Sequence, residues 1–434
     1  MTIFSTLEPQ QRKNLFFLFV SGLLFWASLA ALLPTLPLYV EDVGGTTQQI
    51  GLVIGAFAVG LLLLRPTLGK LSDRRSRKLV VLIGFGVVAI APLGYLFAKS
   101  IPLLLLIRVF HGISIAAYTT GSSALVVDLS PVENRGEVIG YMSLTNPIGM
   151  ALGPAIGSFL QAQMGYTPLF VFSFALGVLG FLFACQVQEP RIIPLSVGEL
   201  TTGDSTNASS VNPDSEKFWQ LLGSPRLRIP TLVMLLFGLI FGAVTTFVAL
   251  YIREAKVDLN PGWFYTAAAM SSFCTRFVTG RASDRFGRGL FITVSLVFYS
   301  LSMLLLSFAQ SPVSFLLAGF LEGIGSGTLI PSMIALISDR SHAYERGRVF
   351  SLCIGGLDVG IAIAGPVFGT FAQQLGYQGI FSFSLGFALL ALIIFITQNG
   401  KNLRHSLRFA TGRERDMYAL SAVGLNTDQG IGNG

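Results

Sequence analysis

GKLSDRRSRK, Gly69 to Lys78, recurs 211 residues later as GRASDRFGRG, Gly280 to Gly289. The surrounding chain of 434 residues is 52% hydrophobic and only 12% charged. Soluble domains carry about a quarter charged residues, so this composition belongs to a membrane protein. The repeat is not confined to one loop. The same shift lays Arg65 on Arg276, Asp73 on Asp284, His111-Gly112 on Glu322-Gly323, Asp128 on Asp339, and Gly165-Tyr166 on Gly376-Tyr377. With one residue inserted, Asn146 falls on Asp358 and Gly153-Pro154 on Gly365-Pro366. Matches so numerous at one offset describe two copies of one topology.

About 20 apolar residues cross a hydrocarbon core roughly 30 Å thick. Twelve apolar runs are read, near 14–40, 48–68, 79–98, 101–127, 137–162, 166–187, 229–252, 262–280, 290–309, 312–337, 348–373 and 377–398. The expected fold is all-α, a polytopic membrane protein with twelve transmembrane helices in two pseudo-symmetric six-helix bundles. The expected domains are a first bundle at 1–187, a polar linker at 188–228, a second bundle at 229–398 and a tail at 399–434. The run 262–280 is half polar, with Ser271, Ser272, Thr275 and Arg276, and so must face protein or water. Ala27-Ser28-Leu29-Ala30 imitates a signal-peptidase site, but the apolar stretch Leu15–Leu33 outruns the roughly 7–15 residues of a signal core. It also has a counterpart in the second half, so the run is read as a retained span.

Short loops rich in Lys and Arg stay on the cytoplasmic side. An inner N-terminus leaves only Lys99, Arg253 and Lys256 outside among the loop cations, so both termini are expected in the cytoplasm. The formal charge of +7 then calls for the anionic inner leaflet as partner and for no nucleic acid. Cys185, Cys274 and Cys353 show no metal or redox spacing and read as small apolar residues; neither a metal nor a cofactor is expected. The linker, rich in Ser, Thr, Asn and Asp, reads as flexible, and the basic tail as a membrane-surface segment that frays.

Twelve spans in two parallel halves, with G-x-L-x-D-R-x-x-R-K after span 2 and a degenerate copy after span 8, resemble the major facilitator superfamily. The resemblance runs from about residue 14 to 398, with Ser76 standing where the family usually has Gly. It implies a substrate site near the bilayer midplane between the halves. It also implies an inner latch, formed by Gly69, Asp73, Arg74, Arg77 and Asp128 and repeated by Gly280, Asp284, Arg285, Arg288 and Asp339. Asp73 would favour the start of span 11 near Arg346, and Arg77 would meet Asp128. Arg108 in IRVFHGISIAA resembles the family's second motif, tied to proton coupling. GMALGPAIG, with Gly149, Gly153, Pro154 and Gly157, resembles its third motif, associated with exporters; Gly365 and Pro366 carry a shorter version.

Charges inside spans are costly, on the order of 3 kcal/mol each at the bilayer centre, so they must face a cavity or a partner. Arg108, His111, Glu322 and Asp358 lie well within spans, and Asn146 is the uncharged counterpart of Asp358. Burial favours the neutral form of an acid and a nearby cation the charged form, so Glu322 and Asp358 are read as proton carriers or binders of a cationic substrate. Arg65 and Arg276, near the inner ends of spans 2 and 8, are expected to snorkel toward headgroups. Trp26, Tyr118, Phe247 and Tyr251 are the aromatic candidates for substrate contact. The expected function is a monomeric inner-membrane secondary transporter that exports small amphipathic or cationic molecules against protons, as the family's drug/proton antiporters do. An importer, a metabolite exchanger or a non-transporting sensor are the alternatives. No nucleophile elbow, Walker loop or metal-ligand cluster supports an enzyme or an ATP-driven pump.

Overall fold

The computed structural model describes residues 7–131, 135–189, 223–342 and 346–420, and within these omits the side chains at 277, 278, 280, 281, 284, 346–348 and 351. Most of the expected linker, its Asn207 sequon and the end of the tail therefore lie outside the described residues, as do the Asp284 and Arg346 side chains. Everything regular among the described residues is helical.

Span 1 is Pro9–Ala31, continued by Leu36–Asp42; span 2 is Thr47–Arg74, span 3 Arg77–Phe97 and span 4 Ile101–Leu129. Span 5 comprises Arg135–Ser143 and Thr145–Met164, and span 6 is Tyr166–Cys185. The second bundle follows with span 7 Arg228–Glu254, span 8 Gly262–Phe286, span 9 Arg288–Ser307 and span 10 Pro312–Asp339. Spans 11 and 12 share one helical stretch, Arg346–Gln398, divided at Gly376. Among the described residues nine helical stretches are long and apolar enough to cross a membrane by length and composition, the last containing both of these final spans. Spans 5 and 8 are richer in small and polar residues and pack against each other on the seam between bundles. Their surroundings are protein, which tolerates what lipid would not.

The repeat is visible in the turns. Gly165 and Gly376 both hold positive φ, 83° and 65°, and reverse the chain between spans 5 and 6 and between spans 11 and 12 without a loop. Side chains disfavour that conformation. The two copies of the charged loop are built differently. Gly287 turns with φ 95°, whereas Ser76 is extended and caps span 3 by accepting from Leu79 N at 3.0 Å. Its hydroxyl in turn donates to Glu189 Oε2 at 2.5 Å, and Arg77 N donates to Glu189 Oε1 at 2.7 Å. A carboxylate from the end of span 6 thus does for the first copy what a positive φ does for the second.

Pro9, Arg74, Asp128 and the tail lie at one end of the bundles, the terminus side; Asp42, Thr47, Met164 and Glu254 lie at the other, the far side. The tail is no free surface segment over its described length. Helix Leu403–Ala410 packs beside spans 9 and 12, and the chain then crosses the end of span 10. Arg340, wholly buried there, donates to Asp416 from Nε at 2.6 Å and from Nη2 at 2.9 Å, and from Nη1 to the Arg226 carbonyl at 2.9 Å. Leu420 N donates to the Asp339 carbonyl at 2.8 Å. Removing one member of a buried ion pair strands the other, at a cost of about 3–5 kcal/mol. Asp416→Ala is expected to lower the melting temperature of the purified protein, with Asp416→Asn intermediate because its amide oxygen still accepts; thermal denaturation in detergent measures both.

Candidate substrate cavity

A cavity of about 340 Å³ lies between the bundles and takes its walls from spans 1, 2, 4, 5, 7, 8, 10 and 11. The lining is largely apolar and aromatic, with Trp26 and Phe57 from the first bundle and Phe241, Phe264 and Tyr265 from the second. Into it project Arg108, Asn146, Thr245, Ser272, Arg276, Glu322, Ser326 and Asp358. Such a setting orients a small molecule by few polar contacts and holds it by apolar area.

The charges are not equivalent. Asp358 Oδ2 accepts from Arg65 Nη1 at 2.5 Å, a direct bridge from span 11 to span 2 and so between bundles. The expected snorkelling of Arg65 gives way to this pair, because an ionised carboxylate across the seam offers its guanidinium a charged partner. Arg276 does not snorkel either but lines the cavity, its Nε buried without a hydrogen-bond partner. Glu322 is 5% exposed, stands beside Tyr299 and Ser326, and leaves Oε1 without a partner. Among the described residues no cation pairs with it. Arg108 lies over the Phe57 ring at 4.4 Å and beside Tyr95, and no carboxylate among the described residues pairs with it.

Span 4 divides the residues that the sequence had grouped. Arg108 and Ile115 face the cavity, seven residues apart and nearly in line along a helix. His111 and Tyr118 sit roughly 60–80° round the same helix and point back into the first bundle. There His111 Nδ1 pairs with Tyr95 Oη at 3.1 Å, and Tyr118 stacks on Phe25 with centroids 4.0 Å apart, behind Trp26. Phe247 and Tyr251, buried in the second bundle, also stay out of the cavity; Tyr251 Oη donates to the Ala309 carbonyl at 2.7 Å toward the far side. Trp26 and Asn146 are the expected uncharged contacts that do line it. Gly149, Gly153 and Gly157 admit Trp26, Ala27 and Ala31 of span 1 at close range.

On the terminus side Asp73 and Arg74 are exposed, and Gly69 has open space where a Cβ would point. Arg77 pairs with Asp128 within the first bundle, and Arg288 Nε with Asp339 Oδ2 at 3.3 Å within the second. Arg285 is exposed beside the Phe286 ring. The far side is shut. Gly51 of span 2 crosses Gly365 of span 11 too closely for a Cβ on either, and Gly55 lies against Ala362 and Pro366. Gly262 of span 8 meets the Pro154 carbonyl of span 5 in the same way. Asn260 Nδ2 donates to the Ser158 carbonyl at 3.1 Å, and Thr266 Oγ1 to the Ala151 carbonyl at 3.2 Å. Arg253 of span 7 bonds Glu41 at 2.8 Å and Asp42 at 2.6 Å. The sequence reading missed this cluster, although Glu41 and Arg253 occupy nearly matching places in the two halves.

The profile described as Major Facilitator Superfamily matches residues 18–275 and 256–413. The chain belongs to that superfamily. The quinolone resistance protein NorA of Staphylococcus aureus (strain MSSA476) is 26% identical over 397 residues, 88% of this chain and 96% of its own length. A multi-drug resistance efflux pump PmrA homolog of Lactococcus lactis subsp. lactis (strain IL1403) is 26% identical over 373 residues, 82% and 89% of the two chains. The crystal structure of a mutant of nucleoside transporter NupG superposes with TM-score 0.73 over 88% of this chain and 98% of that one, at 14% identity, and supports the fold. This superfamily member is thus a multi-pass membrane transporter, built around a cavity between two bundles, with the far side closed.

Closure of the far side depends on Gly51 having no side chain. Gly51→Val is expected to hold that side open, raising far-side labelling of a Thr245→Cys probe by about tenfold as the population shifts. An impermeant maleimide, on a background with Cys185, Cys274 and Cys353 changed to Ser, measures it.

Proposed function

We propose that this transporter exports small amphipathic or cationic molecules in exchange for protons, with the terminus side facing the cytoplasm. The observation that carries this reading is Glu322: a carboxylate with an unpartnered oxygen, buried in an otherwise aromatic cavity between the bundles. Such a group is costly unless it is protonated or matched by a cation. A substrate cation supplies that match and a proton replaces it, so the two compete for one site, and competition of this kind is the basis of exchange. The names of the two bacterial relatives, quinolone resistance and multi-drug efflux, support the same direction and substrate class.

Asp358 serves the movement. While charged, it holds Arg65 and thereby span 2 against span 11. A proton on Asp358 discharges the bridge, after which the bundles part on one side and close on the other. With the far side shut and Asp73 exposed, we read the described conformation as the inward-facing one. In the alternate state Asp73 would take up the start of span 11, and the Arg253 cluster would open.

Three outcomes follow for a cationic dye such as rhodamine 123, followed in everted vesicles and by binding to the purified protein. Asp358→Asn abolishes uptake driven by the pH gradient while dye binding persists. Glu322→Gln weakens binding itself by about tenfold, the usual worth of one charge-assisted contact. Asp73→Asn slows turnover and leaves binding intact. Uptake that continues unchanged after the pH gradient is collapsed would overturn proton coupling.

A further inference from the structure

The repeat places Arg276 and Asn146 where the other half of the seam places Arg65 and Asp358. Span 2 crosses span 11 at Gly51 and Gly365, with Gly55 against Pro366, and span 8 crosses span 5 at Gly262 and Pro154. Arg65 is fourteen residues beyond Gly51, as Arg276 is beyond Gly262; Asp358 is eight residues before Pro366, as Asn146 is before Pro154. By the repeat, Arg276 and Asn146 hold the places that Arg65 and Asp358 hold in the bridged crossing. Both Arg276 and Asn146 line the cavity.

The chemistry of the two sites then differs in one respect. Arg65 finds a carboxylate, whereas the position corresponding to that carboxylate across from Arg276 carries the Asn146 amide. Arg276 Nε is buried without a hydrogen-bond partner, and no carboxylate among the described residues pairs with it. An unmatched guanidinium inside the bilayer thickness calls for an anion. Arg108, the other cavity cation, differs in being stacked on Phe57 beside Tyr95. The guanidinium fork suits a planar carboxylate, and the Asn146 amide adds a neutral donor that a second carboxylate could not.

We infer that Arg276 and Asn146 form an anion subsite that receives a carboxylate carried by the substrate, in the same cavity as Glu322, so that the preferred cargo bears both a carboxylate and a cationic group. This rests on the cavity being the export site, and it narrows the cargo from cations to zwitterions. It also explains the polarity of the repeat. Where the first seam has an internal acid, the second leaves that place for a ligand.

The test uses two dyes that differ only at this group, rhodamine 110 with a free carboxylate and rhodamine 123, its methyl ester. Their binding to the full-length protein in detergent is read by fluorescence polarisation. That assay needs neither a gradient nor a direction, so a failure of the export reading leaves its result intact. The wild type is expected to prefer the acid. Asn146→Asp gives Arg276 an internal carboxylate, as Asp358 gives Arg65, and should lower the ratio of acid to ester binding about tenfold. Arg276→Gln should do the same, and ester binding reports in each variant that the cavity is intact. If Arg276→Gln abolishes both dyes, the Asn146→Asp ratio alone decides. A wild type that does not prefer the acid, or an acid-to-ester ratio unchanged by Asn146→Asp, overturns the subsite.

Discussion

An ionised side chain inside a membrane protein is tolerable only when it faces a cavity or has a partner, and the bridge from Arg65 to Asp358 supplies a partner across the seam between bundles. Pulling the pair apart while both groups are charged strands the buried Asp358 carboxylate, whereas Arg65 is partly exposed. In the proposed cycle, separation of spans 2 and 11 is tied to the charge state of Asp358. The rest of the cavity is arranged around this constraint: the bridge holds one wall, and Glu322, Arg108 and Arg276 are left facing the space it frames.

The two halves share a backbone design and differ in side-chain charge. Glycines at equivalent crossings let helices from opposite bundles approach to backbone contact, and equivalent positive-φ glycines turn the chain at the far end. Upon that shared frame the second half places Glu322 where the first has His111, and Asp358 where the first has Asn146. At these two pairs of positions the acids fall only in the second half. The asymmetry fits vectorial work, because a strictly symmetric pore would treat both bundles alike.

The repeated loop shows the same divergence. In the first copy Asp73 is exposed, and Ser76 and Arg77 are anchored by Glu189. In the second, the described tail is docked over the end of span 10, with Arg340 clamped by Asp416 and the Asp339 carbonyl taken by Leu420. One end of the second bundle is thus tied down by the described tail. Any rearrangement of the second loop must carry the tail with it, whereas the first loop is restrained chiefly through Glu189 and the Arg77–Asp128 pair.

The sequence by itself determined the membrane setting, the twelve spans, the doubling and the set of intramembrane charges, because apolar length and an internal offset are one-dimensional quantities. It placed Arg108, Asn146, Glu322 and Asp358 as cavity candidates on the strength of polarity inside apolar runs, and all four line the space between bundles. Pairing across the seam was decided only by tertiary structure. Whether Arg65 reaches lipid headgroups or Asp358, and whether His111 faces the cavity or Tyr95, depends on helix rotation and on which helix lies opposite. A shift of roughly 60° about span 4 separates those outcomes, and no count along the chain fixes that angle. Phe247 and Tyr251 illustrate the same limit: an aromatic ring is as much at home in a packed bundle as in a binding cavity, so residue type could not choose between them.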